Sequence, residues 1–582
     1  MTISYKHLYL AHTKRPYRLV AQDSGFSFPQ QRFETAWGYK KRSAVRLVFF
    51  YTPRVGLIHE VVGPNLTCIK KGINNVGSFF LFNDGFDKNS IIPIMIFSHK
   101  IFLRSLLALA FVAGSAHAAV NMPVYKEVLD NGLTVLLHPN SQAPTVSCRL
   151  FYVTGSVHEV PGKSGLAHML EHELFKGTNK VGITDSVADA RFMVVQDSLQ
   201  ALIRSAKLTA DTAAVKKLTA EHDSVVNEHR KIFVKDELWS AYQAAGGTGL
   251  NAFTSDLMTA YIVTLPKDKI ELFMWLEADR MQNAVLREFY SERSVVREER
   301  RMRYDDKPAG RYIETLNSMI YEAFPYRVPT IGWPSDIDNL TREMAAEHYR
   351  KYYKPRNAIL VLAGDLDTTA TMEMVKKYFS NIPAGEAFPP LTIRDPEQAG
   401  EKRLVVKRPD APNMYDLVFK TAEVGDKSLY ALDIIEGVLN GRSGRLYRRL
   451  VEQEKLAVGI RSSNSPNKYV SEFGVHVNLR PDADEAKVEQ IVWEELEKLK
   501  TEPLSARDFE KVKNHSYAAL VRSLTDMENV ATMLAWYEMY GDYNIFLNWA
   551  DELSKVTAAD VQEIAQKTFV REKSVSGFLL KK

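Results

Sequence analysis

The segment FPPLTIRDPEQAGEKR, at positions 388–403, divides the sequence into two parts that repeat one order of structural patterns. Its prolines and charged side chains are typical of a linker between domains. In both parts, alternating segments that favour strands are followed by longer segments with helical periodicity. A chain of 582 residues is too long for one hydrophobic core, so we predict two domains, at 119–387 and 404–582. The predicted fold class is α+β, with each domain a mainly antiparallel sheet covered by helices.

The segment at 95–118, MIFSHKIFLRSLLALAFVAGSAHA, has the layout of a secretory signal peptide. It begins with the basic residues Lys100 and Arg104, continues with an apolar run and ends in the small-residue sequence AHA. A signal peptide placed well inside a chain does not work. We therefore infer that Met95 is the true start and that residues 1–94 are a doubtful leader, upstream sequence that the cell does not translate as part of the protein. The alternative for this segment is a buried core helix.

The charge, hydropathy and cysteine content of residues 119–582 exclude some classes of function. Residues 119–582 carry 60 Lys and Arg against 66 Asp and Glu, a net charge of −6, which is no basis for binding nucleic acid. We expect no membrane span, because no apolar run approaches the ~18 residues that one needs. After the predicted cleavage site only Cys148 remains, and the alternating sequence TVSCRLFYV predicts that it is a core residue of a strand.

The first domain is predicted to begin with two strands in VYKEVLDNGLTVLLHP, joined by a turn at Asp130-Asn131-Gly132. A strand in TVSCRLFYVTGS leads into a short helix, for which Ser164 is the expected N-cap and Gly177 the expected stop. The sequence GLNAFTSDLMTAYIVTLP alternates as strands do, and a long helical stretch follows from Lys267 to about Asp305. The buried strand NAILVLAGDLD closes the domain.

Residues 183–245 differ from their surroundings, because they lack proline and glycine and are rich in Ala, Lys, Asp and Glu. The apolar residues recur at helical spacing, which predicts an inserted helical hairpin broken near Thr209-Ala210-Asp211. We expect His222 and His229, within this insertion, to be solvated side chains of a polar face rather than metal ligands.

The short helix in GLAHMLEHELFKGT carries His168 and His172, four residues apart. On a helix such residues lie one above the other on one face, about a metal's reach apart. Glu171 projects from the same side. Zinc accepts two histidines and a carboxylate and leaves a position for water, whose proton a neighbouring glutamate can take. The spacing is that of the inverted zinc motif, and an ordinary polar helix is the alternative.

A third ligand is expected from VLREFYSERSVVREERRM, at 285–302. Two glutamates lie on the apolar stripe of this predicted helix that faces inward. A buried carboxylate is energetically costly unless it is paired or bound to a metal. We assign Glu299 as the third zinc ligand and Glu292 as a carboxylate that orients a ligating histidine. Glu298 is expected to be solvated. The alternative is that both stripe glutamates pair with Arg293 and Arg300 on a wet face. The stripe at spacing three and four comprises Val285, Phe289, Glu292, Val296 and Glu299, with Met302 beyond.

Four stretches occur in the order GLAHMLEHELFKGT, LNAFTSDLMTAY, ERSVVREERRM and GRSGRLYRRLVEQEKLAV, within residues 120–580. Together they resemble the pitrilysin/insulinase family of zinc peptidases, the group that includes the mitochondrial processing peptidase. The resemblance implies that His168, His172 and Glu299 bind one zinc ion per chain and that Glu171 is the general base. It also implies that Asn251 of LNAFT contacts substrate on an edge strand, to which an extended peptide adds as another strand. An asparagine in a turn is the alternative.

The sequence departs from the family pattern at two places. The interval from His172 to Glu299 is 127 positions, longer than usual by about the size of the helical hairpin. An insertion at a surface loop leaves the ends of the loop where they were, so the site is not damaged. In the second domain, family members often hold the substrate carbonyl with an arginine and a tyrosine. Arg445 matches the arginine, but Val458 stands at the tyrosine position and cannot donate a hydrogen bond.

We therefore expect an exported zinc endopeptidase, periplasmic or secreted, that hydrolyses peptides or unfolded segments. The resemblance to half-length members implies that the two domains form half of a clamshell. A homodimer, or a heterodimer with a related subunit that bears the clamp residues, is then expected to enclose the chamber. The alternative is a non-catalytic structural or assembly subunit of the same family.

Overall fold

The computed structural model describes residues 66–73, 76–83, 122–388 and 390–582. The predicted signal peptide at 95–118 lies outside the described residues, as does most of the predicted leader. Two strands of the leader are described, β1 (Leu66–Ile73) and β2 (Val76–Asn83), which pair antiparallel within a separate compact unit.

The described residues of 122–582 contain two sheets, one on each side of a stretch that ends before Lys402 and in which the described residues form no helix or strand. The six-stranded sheet comprises β3 (Tyr125–Val128), β4 (Thr134–Pro139), β5 (Thr145–Tyr152), β6 (Thr248–Thr254), β7 (Thr259–Pro266) and β8 (Ala358–Gly364). The five-stranded sheet comprises β9 (Lys402–Arg408), β10 (Met414–Thr421), β11 (Ala457–Ser465), β12 (Ser471–Leu479) and β13 (Ser574–Lys581).

The two sheets have the same topology. The strand order is β3-β4-β8-β5-β7-β6 in the first sheet and β9-β13-β10-β12-β11 in the second. Without β3, the order of the first sheet is β4-β8-β5-β7-β6. Replacing β4 by β9, β5 by β10, β6 by β11, β7 by β12 and β8 by β13 gives the strand order of the second sheet. Each sheet has one parallel pair, β4 with β8 and β9 with β13, and its other pairs are antiparallel. The prediction of an α+β fold with two similar, mainly antiparallel domains is confirmed.

The described helices lie between the strands of both halves and after β12. In the first half they are α1 (Leu166–Glu173), α2 (Ser186–Leu208), α3 (Thr212–His229), α4 (Glu237–Ala244), α5 (Ile270–Asn283), α6 (Phe289–Arg300), α7 (Pro308–Ile320), α8 (Pro334–Asn339), α9 (Arg342–Tyr352) and α10 (Thr368–Phe379). In the second half they are α11 (Ser428–Leu439), α12 (Arg445–Tyr447), α13 (Glu485–Thr501), α14 (Ala506–Ser523), α15 (Met527–Tyr540), α16 (Asn544–Leu547), α17 (Trp549–Lys555) and α18 (Ala558–Thr568).

Each half contributes a helix to the sheet of the other half. Helix α15 packs on β5 and β8, and α7 packs on β13. All seven residues of β8 are buried, which explains why its sequence AILVLAG is a continuous apolar run rather than an alternating one. The shared core joins Phe151 and Ile359 of the first half to Leu534 and Val575 of the second. This exchange of helices fixes the two domains against each other.

The insertion folds as two antiparallel helices, α2 and α3, with a turn in which Ala210 adopts a left-handed backbone. Its two histidines are buried, so the prediction that they are solvated was wrong. Burial is possible because His229 contacts Asp189 at 2.7 Å and Gln196 at 3.0 Å, while the ring of His222 packs edge-on against Tyr290. These polar partners come from other elements, and a helical periodicity does not reveal them.

The stretch from Lys267 to Asp305, predicted as one long helix, is two helices separated at residues 284–288. Val285 lies in that break and not on the stripe of α6. After Arg300 the chain continues as a π-helix, Arg301–Asp305, whose wider turn shifts the helical phase. Met302 is therefore half exposed instead of inward. Within the described residues, every helix is too short or too polar to cross a lipid bilayer.

Candidate metal centre

The helix with the two histidines, α1, begins directly after Gly165, which has a φ of 90°. Gly165, and not the predicted Ser164, is the N-cap, and it offers no side chain to the free N–H groups of the first turn. Glu159 supplies the acceptors instead, because its Oε2 accepts from the N–H of Gly165 and its Oε1 from that of Ala167, both at 2.8 Å. A carboxyl group from the preceding loop thus caps α1.

Replacing Glu159 by alanine is expected to lower the free energy of unfolding by about 1–3 kcal/mol, because two buried N–H groups lose their acceptor. Chemical denaturation of the two proteins measures the difference. The matched control is Glu343→Ala, since Glu343 is an exposed residue far along the chain from α1 and its loss should cost little. Equal stability of the Glu159→Ala variant and the parent protein would contradict the capping role.

The loop at 331–333 holds the two helices that carry the candidate ligands. A Cβ on Gly165 would lie 2.7 Å from the carbonyl oxygen of Ile331, so the start of α1 can approach this loop only with a glycine there. Ser164 Oγ accepts a hydrogen bond from a backbone N–H of the loop at 2.9 Å. From α6, the buried Arg300 donates to a carbonyl oxygen of the loop at 2.8 Å. One loop therefore positions α1 and α6 together.

Three side chains from these helices bring possible ligand atoms together. Oε2 of Glu299, on α6, lies 3.7 Å from Nε2 of His168 and 3.4 Å from Nε2 of His172, both on α1. Within the described residues, this is the one group of His, Cys, Asp and Glu side chains whose ligand atoms could hold a metal ion, all within 4.8 Å of one another. The sequence-predicted ligands are thus neighbours in the structure, although 127 positions separate His172 from Glu299.

The arrangement fits zinc by two criteria. A tetrahedral zinc site with bond lengths of about 2.0–2.1 Å holds its ligand atoms about 3.3 Å apart, close to the two distances from Glu299. Two imidazole nitrogens and one carboxylate oxygen are also a donor set that zinc accepts with a position left for water. The three side chains keep 10–22% of their surface exposed, which leaves access for water and substrate.

Glu292 lies on the other side of His172. The Nδ1–H of His172 donates to Oε2 of Glu292 at 3.2 Å, and Lys176 donates to Oε1 of the same carboxylate at 2.7 Å. With its Nδ1–H held by Glu292, His172 presents Nε2 to a cation, which binds once the proton on Nε2 has left the ring. The structure therefore brings Glu292 to the position expected for an orienting carboxylate. Lys176 was not identified from the sequence.

The two glutamates do not pair with Arg293 and Arg300, although Oε1 of Glu299 pairs with another arginine of the same segment, the exposed Arg303, at 2.9 Å. Arg293 donates to the carbonyl oxygen of Leu340, and Arg300 forms a buried ion pair with Glu314 at 2.6 Å. Glu298, expected to be solvated, is exposed and pairs with a surface arginine.

The pKa values within this group differ because the environments differ. Burial, helped by the nearby His172, lowers the pKa of His168 to about 4, which favours the neutral imidazole that a metal requires. Burial also acts to lower the pKa of His172, but hydrogen bonds with Glu292 and Glu299 outweigh it and raise this pKa to about 9. The hydrogen bond with His172 holds the pKa of Glu299 below its ordinary value.

Glu171 lies on α1 between the two histidines and contacts strand β6. The Oγ1–H of Thr254 donates to its Oε2 at 2.6 Å. Burial raises the pKa of Glu171 above its ordinary value, which makes the carboxylate a stronger base. Thr254 was not identified from the sequence either. The only available signal was its place in LNAFT, three residues after Asn251.

Under the sequence-based expectation of a peptidase, replacing Thr254 by valine is expected to lower kcat for peptide hydrolysis by about 10- to 100-fold, because a hydrogen bond to a charged group contributes about 1.5–3 kcal/mol. Thr254→Ser keeps the hydroxyl and serves as the control, with a kcat near that of the parent protein. Steady-state kinetics separates the effects on kcat and KM. A valine variant with unchanged kcat would show that this hydrogen bond does not position Glu171.

The remaining predicted residues lie on other elements than the three candidate ligands. Asn251 is an exposed residue of β6, an edge strand of the first sheet, and not of a turn. Arg445 begins the short helix α12 in the second half and is partly exposed. Val458 is 63% exposed on β11, the edge strand that matches β6 in the second sheet.

Two family models match the sequence. The model described as Insulinase (Peptidase family M16) matches residues 134–189, which include the His168–His172 motif. The model described as Peptidase M16 inactive domain matches residues 339–515. The two matches thus lie mainly in the first and second halves, respectively.

Curated relatives cover most of the chain. It is 27% identical to the zinc protease PqqE of Helicobacter pylori, over 82% of this chain and 97% of the relative. It is 22% identical to the uncharacterized zinc protease YmxG of Bacillus subtilis, over 76% of this chain and 95% of the relative. Both relatives are therefore matched over nearly their whole length.

Solved structures show the same fold. A protease from Helicobacter pylori superposes with a TM-score of 0.67 at 26% identity, over 79% of this chain and 99% of that one. The periplasmic protease PqqL of Escherichia coli gives a TM-score of 0.61 at 17% identity, over 80% of this chain but 48% of that one. This chain therefore matches about half of PqqL.

Proposed function

The chain belongs to the pitrilysin/insulinase family as a half-length member, and on this basis we propose that it is an exported zinc endopeptidase. In this proposal it hydrolyses peptides or unfolded segments. The observation that carries the proposal is the approach of Glu299 to the Nε2 atoms of His168 and His172, at 3.7 and 3.4 Å. A peptidase also needs a base beside the ion, and Glu171 lies on the same helix as the histidines.

We assign His168, His172 and Glu299 as the residues that hold one zinc ion per chain. When bound, the ion supplies Lewis acidity, which makes water acidic near neutral pH and stabilises negative charge on a carbonyl oxygen. Glu171 accepts the proton of the attacking water and passes it to the leaving amine. Glu292 fixes the ring of His172 through Nδ1.

The substrate is proposed to bind at β6. An edge strand presents unpaired backbone N–H and C=O groups, to which an extended peptide adds with little sequence preference. Asn251 is exposed on this strand, and Thr254 at its end contacts Glu171. A peptide paired with β6 therefore passes beside the proposed base. We propose that Asn251 contacts this peptide and that Arg445 contributes to the clamp on its carbonyl group.

We propose a partner subunit because Val458 stands where the family has a clamp tyrosine. An exposed valine on β11 cannot donate the hydrogen bond that the clamp needs. A related second subunit is proposed to supply that group and to close the chamber as the other half of a clamshell; an identical subunit carries the same valine and would close the chamber without supplying the donor.

Removal of the metal tests the proposed activity. Dialysis against a zinc chelator is expected to abolish cleavage of a quenched peptide, and one equivalent of Zn²⁺ per chain is expected to restore it. Mg²⁺, which prefers oxygen ligands, serves as the control and is expected not to restore cleavage. A protein that binds zinc but shows no turnover would favour the alternative of a non-catalytic subunit. Cleavage that survives complete removal of zinc would contradict the metallopeptidase proposal.

Export is proposed from the signal-peptide pattern at 95–118. N-terminal sequencing of the protein from the exporting cell is expected to give a start near Ala119. A chain that keeps residues before about this position would count against export by this peptide.

A further inference from the structure

The helical hairpin of the insertion ends in a tip whose side chains are open to solvent. None of residues 204–220 is buried, whereas Ile203 of α2 and His222 of α3 are buried at the base of this segment. We call residues 204–220 the hairpin tip. Leu208, the last residue of α2, is 89% exposed, the largest value among the large apolar side chains of the described residues.

The outward side of α2 extends this exposed apolar surface away from the tip. Its exposed residues recur at spacings of three, four and seven, which places them on one side of the helix. We call this side the outer stripe. Arg191 is its one charged residue, and none of its residues is acidic. The small members of the outer stripe are Ala190, Ser198, Ala201 and Ser205. The large members are Val187, Val194, Val195, Leu202 and Leu208, each 45–89% exposed.

The opposite face of α2 is fixed to the first domain. The buried Asp189 contacts His229 of α3 at 2.7 Å and Arg287, next to α6, at 3.3 Å. Gln196 accepts from the buried Arg342 at 2.8 Å. Because these buried polar pairs hold the inner face in place, the outer stripe cannot turn inward to bury itself. Contiguous exposed apolar surface of this kind marks an interaction site.

The charge of the hairpin tip is positive. Asp211 is its one acidic residue, and Oδ1 of Asp211 already accepts from the N–H of Ala214, at the start of α3, at 2.9 Å. Against this residue stand four basic ones, which gives a net charge of +3 in a chain whose residues 119–582 carry −6. The basic residues are Arg204, Lys207, Lys216 and Lys217, and the three lysines are exposed.

Two of these lysines border a groove in the hairpin tip. The groove has a volume of about 290 Å³ and is lined by Lys207, Ala210, Thr212, Val215 and Lys216. It therefore combines two ammonium groups with methyl groups. Basic pockets of this kind bind the phosphate of a lipid headgroup.

We propose that the outer stripe and the hairpin tip together bind the surface of a membrane that contains anionic lipids. In this arrangement α2 lies along the membrane surface, with its large apolar side chains at the boundary between headgroups and acyl chains. The lysines of the tip contact lipid phosphates, and each basic residue near such a surface strengthens binding about five-fold. The binding requires neither zinc nor a peptide.

An anionic bilayer fits this surface better than other anionic partners do. A nucleic acid supplies negative charge but offers no apolar surface to five large aliphatic side chains. An acidic protein would have to present a long apolar patch and a negative patch in matching positions. A bilayer with anionic lipids presents both everywhere on its surface.

Sedimentation with vesicles tests the proposal. The purified protein is expected to bind vesicles of phosphatidylcholine with about 30% phosphatidylglycerol, and to bind pure phosphatidylcholine vesicles at least about 10-fold more weakly. Added NaCl is expected to weaken binding to the anionic vesicles, because salt screens exposed charges. Removal of zinc is expected to leave vesicle binding unchanged, which separates this result from a failure of the proposed peptidase activity.

The apolar contribution is tested by the double variant Val194→Ser with Leu202→Ser, which changes no charge. It is expected to bind the anionic vesicles more than about 10-fold more weakly with unchanged circular dichroism, because two large side chains no longer enter the membrane. The matched control is Val405→Ser with Val521→Ser, at exposed positions of β9 and α14. This control is expected to bind as the parent protein does.

The contribution of charge is tested by Lys207→Gln with Lys216→Gln. Loss of two basic residues is expected to weaken binding to the anionic vesicles about 25-fold and to reduce its dependence on salt. The matched control is Lys269→Gln with Lys567→Gln, which removes two exposed lysines outside the insertion. It is expected to keep most of the binding of the parent protein.

A fluorescent label locates the contact independently of affinity. Ser205→Cys on the outer stripe, labelled with a fluorophore that responds to polarity, is expected to shift its emission to shorter wavelength when anionic vesicles are added. The same label on Ser554→Cys, at an exposed position of α17, is expected to show no shift. Cys148 is buried and does not react with the label.

Three results would overturn the proposal. The first is a parent protein that does not bind anionic vesicles. The second is vesicle binding that the serine substitutions on α2 and the glutamine substitutions in the tip both leave unchanged. The third is a protein whose mass in solution falls on the serine substitutions while vesicles bind none of it, which would assign the outer stripe to a contact with another protein chain.

Discussion

Replacing Glu171 by glutamine is expected to lower kcat for peptide hydrolysis by a factor of about 10²–10⁴, the usual contribution of a general base. Glutamine has nearly the same shape and can still accept from Thr254, which donates to Glu171 at 2.6 Å. It has no site for the proton that the attacking water must lose. Because Glu171 is not among the assigned ligands, zinc content is expected to stay at one ion per chain.

Two further measurements sharpen this prediction. Zinc content by atomic absorption and binding of a quenched peptide to the Glu171→Gln variant are both expected to match the parent protein. The matched control is Glu298→Gln, because Glu298 is an exposed glutamate one residue from an assigned ligand. It is expected to keep the activity of the parent protein. A Glu171→Gln variant with the parent kcat would assign proton transfer to another group.

Replacing Glu299 by alanine is expected to weaken zinc binding by more than about 100-fold, since even an outer carboxylate contributes about 10–100-fold. The change removes the one carboxylate of the assigned set and leaves the Nε2 atoms of His168 and His172 to hold the ion. Peptide hydrolysis is then expected to be lost at zinc concentrations that saturate the parent protein. Competition with a fluorescent zinc chelator measures the affinity.

The control for this variant is Glu298→Ala, which removes a neighbouring exposed carboxylate and is expected to leave the zinc affinity unchanged. Excess zinc is expected to restore part of the activity of Glu299→Ala, because two histidines and the base remain. An alanine variant that keeps the zinc affinity of the parent protein would show that Glu299 is not a ligand.

The local pattern of α1 was sufficient to place its histidines, because spacing on one helix fixes which side chains share a face. Glu292 and Glu299 could be placed for a related reason, since a carboxylate on an apolar stripe needs a partner. The same stripe predicted that Val285 and Met302 lie on the helix face of the two glutamates, and both of these predictions were wrong. The first lies in the break before α6 and the second in the π-helix after it, and neither irregularity has a clear sequence signal.

The features that could not be predicted from the sequence depend on contacts between elements that are distant along the chain. Glu159 caps α1 from a preceding loop, and Thr254 reaches Glu171 from β6. The buried position of His229 depends on Asp189 of another helix. Patterns of local periodicity contain no information about such pairs. The strand order of each sheet is also a tertiary property, so the repeated topology became visible only in the structure.

The most direct test is the location of zinc in a crystal of the zinc-loaded protein, by anomalous scattering at the zinc absorption edge. We expect one peak per chain, about 2.0–2.2 Å from Nε2 of His168, Nε2 of His172 and a carboxylate oxygen of Glu299. A map without a peak at these three atoms, or a peak that Glu299 does not contact, would contradict the account.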